Sequence, residues 1–377
     1  MNYELTQEQE LLRRTVRDFA ESRVAPVAEE LDREERFPYE LVSELAELGL
    51  MGIPIAEEYG GAGADTVSYA IAIEELTRID SSVAITVAAH TSLGTMPIYL
   101  YGDAAQKQEW LPRLASGQGL AAFGLTEPNA GSDAGATRTR AELRDGRWVV
   151  NGSKMFITNA GTDISACVTI TAVTGENEIS NIIVPNGTPG YQISAPMKKL
   201  GWHASDTREL FFKDCAVPEG NLLGPRGRGF SQFMAILDGG RISVAAMGVG
   251  LAQGAYDLAF AYAKQREQFG RPIAKFQAVQ FALADMATEI EAGRQLVYRA
   301  AWLKDQGKDF GLAAAQAKLY TGILSNRAAN ASLQIHGGYG FMDEYAISRL
   351  FRDQKILEIG EGTNEVQRMV IAKLLGL

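Results

Sequence analysis

Cysteine and histidine are scarce in this chain, and positive charge is in deficit. The two cysteines, Cys167 and Cys215, offer neither a disulfide framework nor a zinc spacing, and three scattered histidines add no metal cluster. A reducing cytoplasmic compartment is therefore expected, and no metal site. Lysine and arginine number 36 against 46 aspartate and glutamate, a net charge of −10. A phosphate backbone or an anionic membrane would be repelled, which excludes a general nucleic-acid binder and leaves any anionic ligand dependent on a local basic patch. The opening MNYELTQEQE is acidic and reads as helical from its start, unlike a secretory signal or a transit peptide. Charge is also missing from SSVAITVAAHTSLGTMPIYL, residues 81–100. His90, Pro97 and the repeated Ser and Thr of that run favour a buried helix over membrane insertion.

What is present is enough apolar material for more than one core. At 377 residues, with 46% hydrophobic and 22% charged residues, the chain is expected to form two or three soluble domains. Residues 1–120 read as an N-terminal helical domain. Thr6 and Gln9 form a capping-box pattern, Leu12, Val16, Phe19 and Val24 stay near one face until Pro26, and YGGAGAD at 59–65 is a loop. Over residues 121–225 the period becomes that of strands. RDGRWVVNG sets an Asp-Gly turn at 145–146 and an Asn-Gly turn at 151–152 around alternating residues, and ACVTITAV, SNIIVP and ELFFKDCAVP are short β-rich runs. A central small β-barrel or sandwich fits them. Residues 226–377 return to long helices, with SQFMAILDGGRISVAAMGVGLAQGAYDLAFAYAKQR as one continuous candidate, and form a C-terminal helical bundle domain. The fold class expected is multidomain α+β in the order α, β, α.

GVGLAQG at 248–254 has the glycines of a dinucleotide fingerprint but falls inside a helical pattern with no strand before it, so close helix packing is the better reading. FGLTEPNAGSDAG at 123–135 gathers a proline, glycines, hydroxyls and acids at the first helical-to-β boundary. It is either an ordinary surface turn or a loop presenting N–H groups and hydroxyls to a ligand. KMFITNAG at 154–161 sets Phe156 and Thr158 at alternate positions of a strand, an aromatic plane beside a hydroxyl that suits either a core or a flat heterocycle. EIGEGTNEVQ at 358–367 places Glu361 between Gly360 and Gly362, ahead of a helix that Thr363 or Asn364 can cap. Glu361 is either a solvated turn residue or a base on backbone able to approach a ligand closely.

In order along the chain, TEPNAGSD, KMFITNAG, SDTRELFFKDCAVP, REQFGRP, QIHGGYGF and IGEGTNEVQ resemble the acyl-CoA dehydrogenase family over essentially its whole length. LDGGRISVAA and FQAVQFALADM look most like the short/medium-chain, butyryl-CoA dehydrogenase-like branch. The resemblance implies an N-terminal helical domain, a small β-barrel and a C-terminal four-helix bundle, assembled as a homotetramer with one FAD per subunit. It implies α,β-dehydrogenation of a short, medium or branched acyl-CoA to a trans-2-enoyl-CoA, as in fatty acid beta-oxidation, with an electron-transferring flavoprotein as electron acceptor. An enoyl-CoA reductase on the same fold and a non-catalytic scaffold relative are the alternative readings.

The same resemblance implies roles for single residues. Glu361 is the catalytic base, and its own backbone N–H helps bind the thioester oxygen. FAD contacts fall on Phe123, Leu125, Thr126, Ser132, Phe156, Thr158, Thr363 and Glu365, while Arg266, Phe269, Gln277, Gln334, Gly337 and Gly338 reach the FAD of a neighbouring subunit. Substrate contacts fall on Ser132, Asp238, Arg241 and Gly362. Read alone, Asp238 and Arg241, three apart on a helix, form an intrahelical ion pair. Isovaleryl- and long-chain-type relatives carry the base on the long helix, where this chain has Gly240, and that supports Glu361. Gly360 stands where many relatives have Tyr, which could widen the acyl pocket, and Phe156 where many have Trp.

Overall fold

The computed structural model describes residues 4–377. Its first helix, α1 (Gln7–Phe19), starts where the sequence sets its cap, Thr6 Oγ1 accepting from Gln9 N while the Gln9 side chain accepts from Thr6 N. The expected helix from the first residue falls partly on Met1–Tyr3, outside the described residues, and Glu4, Leu5 and Thr6 precede the helix. A π-helical turn (Ala20–Val24) leads to α2 (Ala28–Glu34), α3 (Tyr39–Glu47), α4 (Thr66–Ile79) and α5 (Ser81–Ala88). Asp65 and Asp80 cap α4 and α5. A π segment (Ala89–Thr95), α6 (Met96–Tyr101) and α7 (Ala104–Ala115) follow.

The uncharged run at 81–100 is thus a largely buried helix interrupted by a π segment. Some of its hydroxyls are satisfied inside the run, Thr86 donating to Ser82 O and Ser92 to Ala88 O, and others outside it, Ser81 donating to Asp353 and Thr91 to Met51 O. Burial lowers the His90 pKa to about 4. The neutral ring donates from Nε2 to Leu114 O and accepts at Nδ1 from Ala121 N, tying the π segment to the next strand.

Strands β1 (Leu120–Gly124), β2 (Arg140–Arg144), β3 (Arg147–Thr158), β4 (Ser165–Gly175), β5 (Glu178–Pro185), β6 (Tyr191–Ile193), β7 (Thr207–Pro218) and β8 (Leu222–Leu223) form one sheet. Its order is β6-β7-β3-β2-β4-β5-β8, with β1 parallel to β4. Asp145 and Gly146 both have positive φ (49° and 70°) and make the expected β2–β3 hairpin turn. The Asn151–Gly152 turn is not formed. Both residues lie inside β3, where the pairing with β7 shifts register between Val150 and Gly152. A β-carbon at Gly152 would lie 2.5 Å from Thr139 Oγ1, so this glycine serves a bulge pressed against a neighbouring chain segment. The sheet has its own core, including Trp148, Val150, Ile170, Ile182, Leu210 and Val217.

The remainder is helical: α8 (Gly229–Gln265), a small hairpin of β9 (Glu267–Gln268) and β10 (Arg271–Pro272), then α9 (Gln277–Asp305), α10 (Gly311–His336), α11 (Ala346–Asp353) and α12 (Asn364–Leu374). The long candidate helix is continuous in α8. Within GVGLAQG, a β-carbon at Gly250 would lie 2.3 Å from Glu74 O, so α8 meets the backbone of α4 directly, as the packing reading expects. One apolar core joins Val16, Ile71 and Val83 to Val249, Val297, Leu324 and Leu357. The first and last helical regions therefore share an interior from which the sheet's core is separate.

Candidate active site

Glu361 lies in the turn between a 3₁₀ segment (Gln354–Glu358) and α12. Glu361 itself takes the left-handed backbone (φ 52°), and Gly362 follows at φ 91°. A non-glycine residue held there costs on the order of 1–3 kcal/mol and persists only where its surroundings over-determine it. They do so here. Lys318 Nζ on α10 donates to Gly362 O at 2.7 Å, and Gln367 Nε2 on α12 donates to Gly362 O at 3.0 Å and Glu361 O at 3.3 Å. Thr363 is the helix cap, accepting from Val366 N, whereas Asn364 donates to Glu358.

The Glu361 side chain reaches α8. A β-carbon at Gly240 would stand 2.2 Å from Glu361 Oε2 and 3.1 Å from Leu93 Cδ2, so the bare backbone of Gly240 is what admits the carboxylate. Oε2 is buried without a hydrogen-bond partner. Burial pushes the Glu361 pKa up to about 7, against the lowering influence of Lys318 and then Arg241. A solvated turn residue would show none of this; a carboxylate so placed can take up or release a proton near neutral pH. Among the described residues, no protein acceptor takes the Glu361 N–H. Arg241 Nε, Asn364 Oδ1 and Gln367 Oε1 are also buried and unpartnered. Such atoms ordinarily have a protein, water or ligand partner, and these four gather at the turn and on the facing stretch of α8.

Asp238 and Arg241 form the ion pair that their spacing predicts, Arg241 Nη1 donating to Asp238 Oδ1. Phe123, at the end of β1, stacks on Phe233 of α8 with centroids 3.8 Å apart. The loop after it is tied to β3: Leu125 O accepts from Lys154 Nζ at 3.2 Å, and Thr126 O from Met155 N at 2.8 Å. Its anchor is the buried Glu127, which accepts from Thr137 Oγ1, from Arg138 N and Thr139 N, and from Lys154 Nζ at 2.8 Å. Burial works against that carboxylate, yet the Lys154 charge and these bonds hold its pKa below the ordinary range. Glu127 and Lys154 stand in two motifs noted in the sequence, but their pairing is legible in neither. Ser132 is exposed, and Glu365 is exposed beside Arg368.

Phe156 and Thr158 do not simply alternate. β3 bulges between Lys154 and Ile157, Phe156 sits at φ 63° with 62% of its surface exposed, and Thr158 returns to register opposite Thr207. A large apolar ring exposed on strained backbone beside the Leu125–Ser132 loop is a surface for a flat ring, so these residues fit a flavin. Arg266, Gly337 and Gly338 come together with Tyr262, His336 and Tyr339 around a cavity of about 590 Å³. Gln334 and Gln277 are exposed nearby in sequence, and Phe269 is 93% exposed between β9 and β10. Arg266 is 26 residues beyond Gly240, about 39 Å along α8, so within one chain this second group does not meet Glu361.

Three family models match the chain: the acyl-CoA dehydrogenase N-terminal domain over residues 6–118, middle domain over 122–215 and C-terminal domain over 227–376. The chain is 52% identical over 380 residues to a probable acyl-CoA dehydrogenase of Bacillus subtilis, covering 100% of both. It is 46% identical over 379 residues to acryloyl-CoA reductase (NADH) of Anaerotignum propionicum, covering 99% of this chain and 95% of that one. The solved butyryl-CoA dehydrogenase of Megasphaera elsdenii has a TM-score of 0.97 and 44% identity, with 100% of both chains covered. An acyl-CoA dehydrogenase complexed with FAD, from Bacillus anthracis, has a TM-score of 0.94 and 36% identity, covering 99% of this chain and 67% of that one. The chain belongs to the acyl-CoA dehydrogenase family, whose cofactor is FAD.

Proposed function

We propose that this enzyme oxidises the Cα–Cβ bond of a short, medium or branched acyl-CoA to the trans-2-enoyl-CoA, with Glu361 as the base. The observation that carries the assignment is Glu361 Oε2, buried, unpartnered and seated on Gly240. Ionised, the carboxylate takes the α-proton and holds it at Oε2 beside Leu93. The Glu361 N–H donates to the thioester oxygen as charge gathers there. FAD, when bound, supplies the acceptor for the hydride leaving Cβ. Phe156 and Thr158 border the flavin, with Phe123, Leu125, Thr126, Ser132, Thr363 and Glu365 around them; Asp238 and Arg241 meet the CoA portion as a pair, and Gly362 leaves room for the acyl group.

The same reading includes a homotetramer. The separation of Arg266, Phe269, Gln277, Gln334, Gly337 and Gly338 from Glu361 supports their serving a neighbouring subunit's FAD, and the exposed Phe269 ring supports a covered hairpin. An electron-transferring flavoprotein is the proposed acceptor. The likeness to an acryloyl-CoA reductase favours a second reading, in which protonated Glu361 returns its proton to Cα of an enoyl thioester and bound FAD, once reduced, would supply the hydride for Cβ. A pKa near 7 leaves both protonation states accessible near neutral pH.

Anaerobic mixing of the purified protein with acyl-CoAs from propionyl and isobutyryl to octanoyl tests this, followed by loss of visible flavin absorbance. Rapid bleaching by one class, abolished in Glu361→Gln with FAD retained, is the expected result. Equal bleaching in the variant overturns the assignment of the base, and a bound flavin that no acyl-CoA bleaches moves the reductase reading ahead.

A further inference from the structure

Lys318 is a lysine with no exposed surface in the N-terminal third of α10, flanked by the buried Ala313, Ala314, Ala315 and Ala317. Burying an ammonium carries a desolvation cost that an apolar side chain of similar volume avoids, so a purely packing role does not require lysine here. Its hydrogen bond goes to Gly362 O, one residue beyond Glu361. Gln367 holds the carbonyls of both Glu361 and Gly362 from the other side of the turn, without charge.

We propose that Lys318 is a positioning residue for the base: its ammonium fixes the Gly362 carbonyl, and with it the left-handed turn at Glu361, while keeping a positive charge beside a carboxylate that must ionise to work. This rests on the reading of Glu361 as the base. The charged and titratable groups facing Glu361 are Lys318 from α10, Arg241 from α8 and Tyr69 from α4. Arg241 is already paired with Asp238, and Tyr69 is kept neutral by burial with its hydroxyl donating to Ala88 O. Facing Lys318 are Glu361 and Arg241, then Glu358 and Glu365 on either side of the same turn. Burial lowers the Lys318 pKa to about 8, so the ammonium is the prevailing form at the Glu361 midpoint near 7.

The test uses the FAD-loaded enzyme and single-turnover flavin reduction by its best acyl-CoA, measured from about pH 5 to about pH 9. In Lys318→Met the pH midpoint is expected to rise by about one unit, making reduction roughly fivefold slower at the wild-type midpoint. The plateau rate at high pH is also expected to fall, because the turn is released. Lys318→Gln, which keeps a donor for Gly362 O but no charge, is expected to recover the plateau and not the midpoint. A readout independent of turnover is the infrared titration of the Glu361 carboxyl, its band identified by loss in Glu361→Gln. That titration should move with the kinetic midpoint. An unchanged midpoint and unchanged carboxyl titration in Lys318→Met, however far the melting temperature falls, overturn the proposal and leave Lys318 as packing. Should Lys318→Met not fold, Lys318→Gln carries the same midpoint test. Wild-type reduction by Glu361→Gln would instead show that the reading of the base has failed, and the carboxyl titration alone then decides whether Lys318 governs Glu361.

Discussion

The Glu361 carboxylate occupies the space that a side chain at Gly240 would need, a β-carbon there lying 2.2 Å from Oε2. This carboxylate and the long helix are complementary: the turn before α12 can deliver it only because α8 presents bare backbone at that point. Gly240→Ala is expected to displace the carboxylate and slow flavin reduction by on the order of 100-fold, since misplacement by about 1 Å is enough for such a loss. FAD content should stay close to wild type. A wild-type rate would mean that the reacting carboxylate does not work from this position.

Removing the Glu361 charge should alter stability in a pH-dependent way. The folded pKa is about 7 against an ordinary 4.5, so the folded state holds the proton more tightly. Below about pH 4.5 both states are protonated, and the penalty for burying the charge is absent; it grows as pH rises and is complete above about 7. Glu361→Gln should therefore be more stable than wild type above neutral pH, by on the order of 3 kcal/mol, with the advantage fading toward pH 4. Melting curves of both proteins across this range check the sign, and an advantage that grows on acidification contradicts it.

Lys154→Met leaves Glu127 buried without its cation, a change that typically costs about 3–5 kcal/mol. The denaturant midpoint of the sheet region should fall accordingly and FAD binding weaken, because the same pair ties Leu125–Thr126 to β3. Adding Glu127→Gln should restore much of the stability. Glu127 is held low, so its contribution is present above the ordinary carboxylate range and is lost as pH falls through its folded pKa. The wild type should thus lose more stability than the double variant on acidification, which a denaturant series at falling pH measures.

Phe269→Asp places a charge on the most exposed aromatic ring of the β9–β10 hairpin. If this hairpin meets a neighbouring subunit, assembly and FAD content should fall together, read by light scattering and flavin absorbance on the same sample. Unchanged mass and full FAD would remove the hairpin from the interface.

Much of the architecture is legible in the residues, and what is hidden has physical causes. The long helical pattern of α8 and the Asp145–Gly146 turn are local properties, and both appear as expected. Asn151–Gly152 carries the same local signal, but the continuing pairing of β3 with β7 overrides it and leaves a bulge. The flanking glycines point to Glu361, yet they do not reveal that the glutamate itself adopts the left-handed backbone. Alternation sets Phe156 and Thr158 on one face and cannot anticipate the bulge that turns the Phe156 ring to solvent. Lys318 is the least visible: a lysine on a helix reads as solvated, and the available signal is the alanine run that surrounds it.

The shared interior of the two helical regions sets the order in which the nascent chain can mature. Ile71, Ile73 and Leu76 of α4 end with no exposed surface, but partners in that core such as Val249 and Leu324 are translated only after every strand of the sheet. At roughly 5–20 residues per second the sheet has time to close around its own core first, while the earlier helices wait with apolar faces uncovered. A chain that stops short of α10 would thus carry a finished sheet beside an unfinished interior, and would be fated to aggregate rather than to act as a smaller enzyme.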